Sequence, residues 1–158
     1  MQSLVDELRE LTERMSMGGS WSAYWYNGVI VSSEIARGLD IYELVPSGLI
    51  TENELAAAKT VKMSYLNTQD QQKLVWAPSF ALARAYLDQL ARTNGLASET
   101  VASARTALAN AERRSGSQRK TALNELAAQL TNAAGTARDQ AKTRTLAAAV
   151  TDLANSQH

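Results

Sequence analysis

No cysteine occurs in the chain, which excludes disulfides, zinc–thiolate sites and thiol nucleophiles outright. Histidine is nearly as scarce. The only one is His158, the last residue, which reads as a frayed end rather than a catalytic base. Serine-hydrolase triads, HExxH zinc sites and zinc-finger spacing are thereby ruled out. Neither sign of charge predominates: 16 basic residues balance 16 acidic ones. A net charge of zero gives no electrostatic case for nucleic acid or an anionic membrane as the main partner. The one basic cluster, Arg113-Arg114 with Arg119-Lys120, reads as the solvated surface of a helix–helix turn. No apolar stretch approaches the length of a membrane span. The opening segment, "MQSLVDELRELTERM", is too charged for the core of a signal peptide, so the chain as expressed is expected to be cytoplasmic. There is no glycine-rich phosphate loop either, since "MGGS" lacks both the lysine and a preceding strand.

What the chain does contain is helix-forming sequence around one short aromatic passage. Its 158 residues suffice for one domain with a real core. Residues 3–15 predict an amphipathic helix: Ser3 with Asp6 resembles a capping box, and Leu4, Leu8, Leu11 and Met15 share a stripe. Gly18 and Gly19 end it. Then comes "WSAYWYNGVIVSSEIARGLDIYEL", which predicts three antiparallel strands over about 21–26, 29–35 and 39–45. Asn27-Gly28 is a strong type I′ hairpin signal, because both central positions need positive φ. Trp21 and Trp25 are expected on one face, Tyr24 and Tyr26 on the other. A lone three-stranded meander cannot bury two such faces by itself.

Pro46 closes the sheet. Thr51 and Glu54 make a second capping box, which predicts a helix over "ENELAAAKTVKMSYLN", followed by a fraying polar stretch, "TQDQQK". Pro78 and Ser79 open the next helix and Asn94-Gly95 close it, with Phe80, Leu82, Tyr86, Leu87 and Leu90 facing a core. No aromatic residue follows Tyr86. Three further helices are expected over 98–114, 117–134 and 137–155. Their stripes are Val101, Ala104, Leu108 and Ala111; Leu123, Leu126 and Leu130; and Leu146, Val150 and Leu153. Alanine between the stripes favours helix and close helix approach. The expected fold class is therefore mainly α with a small antiparallel sheet (α+β): an N-terminal helix, a three-stranded meander, then an antiparallel bundle of about five helices. The expected divisions fall at 1–17, 18–46 and 47–158.

The segment "GGSWSAYWYNGVIVSSEIARGLDIYELVPSGLITENELAAA", followed by "VWAPSFALARAYLDQLAR", resembles the C-terminal part of actinobacterial LVIVD-repeat proteins. The resemblance is carried by the tryptophan–tyrosine hairpin, "EIARGLD" and "SFALARAYLDQL", in the same order, over about residues 18–95. It implies a secreted β-propeller parent and places the strands in a last blade with a helical tail. The chain departs from the pattern in three ways: upstream blades are missing, about three strands are visible where a blade has four, and residues 1–17 do not look like the family. The resemblance thus implies a fragment whose aromatic strands neighbouring blades would otherwise cover. Such strands leave an open edge and bare rings. Burying a tryptophan recovers roughly 2–3 kcal/mol by area, so a homodimer or higher oligomer through residues 18–45 is expected, with the first helix as a further source of cover.

Carboxylates are the remaining candidates for chemistry. Glu34, Asp40 and Glu43 lie in or beside the sheet, and Asp6, Glu7 and Glu10 on the first helix. Converged, such oxygens would suit a divalent metal and metal-activated water for ester or phosphoester hydrolysis, with Glu34 and Asp40 as the catalytic candidates. The plainer reading has Glu34 accepting backbone N–H bonds before its turn, and Asp40 pairing with Arg37. Trp21, Tyr24, Trp25, Tyr26 and Tyr42 would line a pocket for a flat or sugar ligand; core or interface burial is the competing role. Trp76 is expected to plug the junction of sheet and bundle. Three function classes follow: a non-catalytic structural or interaction module, a small metal-dependent hydrolase, and a ligand-binding helical tail of a cell-surface protein. The first is preferred.

Overall fold

The computed structural model describes residues 18–36, 38–70 and 73–156. The helix expected over 3–15 lies outside them, as do its acids, Arg37 and His158. The chain divides into two compact units, Met1–Leu44 with Met63–Gln72, and Val45–Lys62 with Lys73–His158.

In the first unit, β1 (Ser20–Tyr26), β2 (Val29–Glu34) and β3 (Gly38–Tyr42) form an antiparallel sheet in the order β1-β2-β3. Asn27 and Gly28 turn between β1 and β2 at φ 52° and 108°, the positive values the two-residue hairpin requires. The register pairs Tyr26 with Val29, Trp25 with Ile30 and Tyr24 with Val31, then Ile30 with Tyr42, Val31 with Ile41 and Ser32 with Asp40. A bulge separates Ser20 from Ser22, leaving Trp21 without a partner across the ladder.

The second unit holds the helices α1 (Glu52–Ala58), α2 (Phe80–Arg92), α3 (Ser98–Glu112), α4 (Gly116–Ala133) and α5 (Gln140–Asn155). Contacts run α2–α3, α3–α4, α4–α5 and α5–α2, and α1 lies on α2. Four helices joined in a closed ring are a four-helix bundle with a short fifth helix on its flank. The stripes meet at its centre: Leu87, Leu90, Leu108, Leu123, Leu130, Leu146 and Val150 are fully buried, together with Thr143. The Thr143 hydroxyl donates to the Asp139 carbonyl at 2.7 Å, which satisfies it inside the core. The chain is thus mainly α with one small antiparallel sheet.

Helix ends follow local chemistry. Thr51 and Glu54 form the reciprocal capping box on α1, and Ser79 accepts from the Leu82 N–H to start α2. After α2, Asn94 sits at φ 50°, with the Gly95 N–H bonded to the Leu90 carbonyl at 2.8 Å and the Asn94 N–H to that of Ala91 at 3.2 Å. That is a Schellman termination with asparagine in the left-handed position.

One helix is much shorter than the sequence predicts. The segment expected to continue from α1 to Asn67 stops at Ala58, with Lys59 as its cap. Thr60 turns its hydroxyl onto the Ala57 carbonyl at 2.7 Å. Beyond it, Met63 is held by the side chain of Asn27, whose Oδ1 accepts from the Met63 N–H at 2.7 Å and whose Nδ2 donates to its carbonyl at 2.9 Å. A backbone held by the hairpin turn cannot supply the i→i−4 bonds of a helix. The last helix also begins later than expected, at Gln140. There Asp139 caps it through the Lys142 N–H at 2.9 Å and gives its own N–H to the Gly95 carbonyl.

Candidate functional site

Alternation along the strands sorts the sheet into two faces. One carries Ala23, Trp25, Ile30, Ser32, Glu34, Asp40 and Tyr42; the other carries Ser22, Tyr24, Tyr26, Val29, Val31, Ser33, Leu39 and Ile41. Within the strands the second face carries no carboxylate, lysine, arginine or histidine. The five rings expected to line one pocket are therefore divided: Trp25 and Tyr42 lie on the first face, Tyr24 and Tyr26 on the second, and Trp21 at the bulge. The five rings do not share one face. Two-sided rings follow from the period-2 geometry of consecutive aromatics at 24, 25 and 26.

The sheet is poorly covered. Trp21 is 77% exposed, Ile41 65%, Leu39 60% and Tyr42 49%. The only side chains beyond glycine that are buried in the strands are Ser32 and Glu34. Every buried apolar side chain among the described residues lies in the helical unit, from Leu55 to Ala154. Trp25 is partly buried, and its indole Nε1–H sits out of solvent with no hydrogen-bond acceptor.

Glu34 owes its burial to the backbone. Its Oε1 accepts from the Gly19 N–H at 2.7 Å, and its Oε2 from the Ala36 N–H at 2.8 Å, so the carboxylate clamps the start of β1 to the turn after β2. Asp40, two residues along the same face in the neighbouring strand, accepts from the Tyr42 hydroxyl at 2.8 Å. Glu43 follows the last residue of β3. Among the described residues no three acidic or histidine side chains gather where they could hold a metal ion. The donors that the first helix would have added lie outside those residues. Glu34 thus acts as a turn clamp and Asp40 as the acceptor of an in-strand tyrosine bond.

The helical unit contains a small cleft of about 170 Å³ over α1 and α2, lined by Glu54, Ala57, Trp76, Leu82, Ala85, Tyr86 and Gln89. Trp76, expected to plug a junction, stands at this cleft and is 42% exposed. At the rim, both carboxylate oxygens of Glu54 receive the Arg92 guanidinium, at 2.8 and 2.9 Å. That fork holds the Glu54 carboxyl down to about 2, aided by the Thr51 N–H and opposed by burial. Arg92 is raised in turn by the same bond. The pair ties α1 to α2. Asp88 adds a second tie, accepting from Asn53 at 2.8 Å and from Arg105 at 2.7 Å.

Sequence reasoning about chemistry passed over Leu39 and Ile41, which structurally are the barest aliphatic side chains of the strands. Their signal was the apolar alternation in "GLDIY", overshadowed by the rings nearby. No family model, curated protein or solved structure matches the chain.

Proposed function

We propose that the chain is a non-catalytic interaction module that associates with itself through its sheet, and that the sheet with its helical tail is a partial last blade of the LVIVD-repeat type. The observation that carries this reading is the contrast between the two units. The helical unit has a full aliphatic core, while the described residues of the sheet unit include no buried apolar side chain and leave Trp21, Leu39, Ile41 and Tyr42 exposed. A bare, mostly uncharged sheet with open edges is the type of surface that recruits another protein surface. The carboxylates support the same reading, because Glu34 commits an oxygen to each of two backbone N–H bonds.

Size-exclusion chromatography with light scattering at micromolar concentration tests it. The chain is expected to elute as a dimer or larger assembly that dissociates on dilution. Leu39→Lys combined with Ile41→Lys is expected to leave a folded monomer with unchanged helical circular dichroism. A wild-type chain that remains monomeric throughout the micromolar range would contradict the proposal.

A further inference from the structure

Among the described residues neither β1 nor β3 has a further strand partner, and these two edges are not equivalent. β1 is interrupted by the bulge at Trp21, which twists an edge away from further pairing. β3 pairs with β2 in unbroken register, without proline, lysine or a bulge; its one charged side chain is Asp40. Hydrogen bonding along β3 follows from the hairpin. The two-residue turn makes Tyr26 and Val29 a pair that exchanges both bonds. Alternation then directs Ile30, Ser32 and Glu34 towards β3, opposite Tyr42, Asp40 and Gly38. The N–H and C=O groups of Leu39 and Ile41 are left pointing away from β2, along an edge where both side chains are more than half exposed.

We propose that β3 pairs antiparallel with β3 of a second copy about a two-fold axis through Ile41, joining the two sheets into one. This rests on the self-association reading above and gives it a strand and a register. Centred on Asp40, the pairing would set two carboxylates directly opposite each other on one face, and like charges so placed repel. Centred on Ile41, each Ile41 exchanges both bonds with its counterpart. Asp40 then lies opposite Tyr42, whose hydroxyl already donates to a carboxylate of this kind within its own strand. Ile41 meets Ile41 on the face that has no charge within the strands. The symmetry is closed, so pairing stops at two copies and does not propagate through this edge. A strand this short shares little area by the standard of tight interfaces, which places the association in the weaker, reversible class.

Because the chain contains no cysteine, single substitutions report the register without background. Leu39→Cys, Asp40→Cys and Ile41→Cys are oxidised under identical conditions, and covalent dimer is read on a non-reducing gel. Facing Cα atoms in a bonded antiparallel pair stand about 5.5 Å apart, within disulfide range. Counterparts at 39 or 40 would be offset by two or more residues, about 7 Å or more along the strand. Ile41→Cys is therefore expected to cross-link at least about tenfold faster than the other two. A maximum at 39 or 40, or equal rates at all three, would overturn the register. Absence of cross-linking at all three positions in a chain that scatters as a dimer would overturn the β3 edge and leave self-association standing. A monomeric wild type would overturn both.

Discussion

Glu54 and Glu34 are both carboxylates at the start or end of an element, and their surroundings give them different energetic weight. Glu54 receives a bidentate guanidinium and its own helix-capping N–H, and its carboxyl is held at about 2. A group lowered on folding contributes stability that is full above its unfolded value of about 4.3 and is lost as pH falls towards 2. Part of the gain is screened, since the side chain of Arg92 is 37% exposed. Glu54→Gln is therefore expected to cost about 1–2 kcal/mol at pH 7 and progressively less below pH 4, measured by urea unfolding at several pH values. A cost that stays constant down to pH 2.5 would show that the ion pair does not contribute in this way. The capping role of Glu54 is legible in its spacing from Thr51, but its pairing with Arg92, 38 positions away, is not. In the same way, a carboxylate before a turn marks Glu34 as a backbone acceptor, whereas its reach back to Gly19 depends on the register of the hairpin.

Elements in this chain are set by caps and turns where those are local, and by distant side chains where they are not. The stripes of α3, α4 and α5, the serine start of α2 and its Asn94-Gly95 ending are legible because each is written within a few consecutive residues. The early end of α1 is not, because the residue that takes up the Met63 backbone is Asn27, in another element. Asn27 does two things at once: it adopts the left-handed turn that few residues accept, and it pins residue 63 through both atoms of its amide. Asn27→Ala should loosen the segment 63–70 as well as the hairpin. The expected cost is about 2 kcal/mol of stability, with faster tryptic cleavage at Lys62 and Lys73 while the helical circular dichroism is retained. Cleavage at the wild-type rate would show that the Asn27–Met63 bonds do not hold this segment.

At the level of the whole molecule, apolar burial and apolar exposure are divided between the two units. The four-helix ring closes over leucine, valine and alanine, and its side chains satisfy one another. The sheet has the rings and branched residues of an interior but leaves Trp21, Tyr24, Leu39, Ile41 and Tyr42 exposed. That imbalance is legible in the aromatic crowding of residues 21–26 and in their absence after Tyr86, although the division of the rings between two faces needs the pleat and the bulge to be seen. Self-association through the sheet is the claim on which the functional reading depends. Amide hydrogen exchange read by mass spectrometry at two protein concentrations tests it most directly. Raising the concentration is expected to slow exchange in peptides spanning residues 18–45, most of all across Leu39–Tyr42, and to leave residues 98–155 unchanged. Exchange in the sheet that is indifferent to concentration, or protection that appears in the helices instead, would contradict the account.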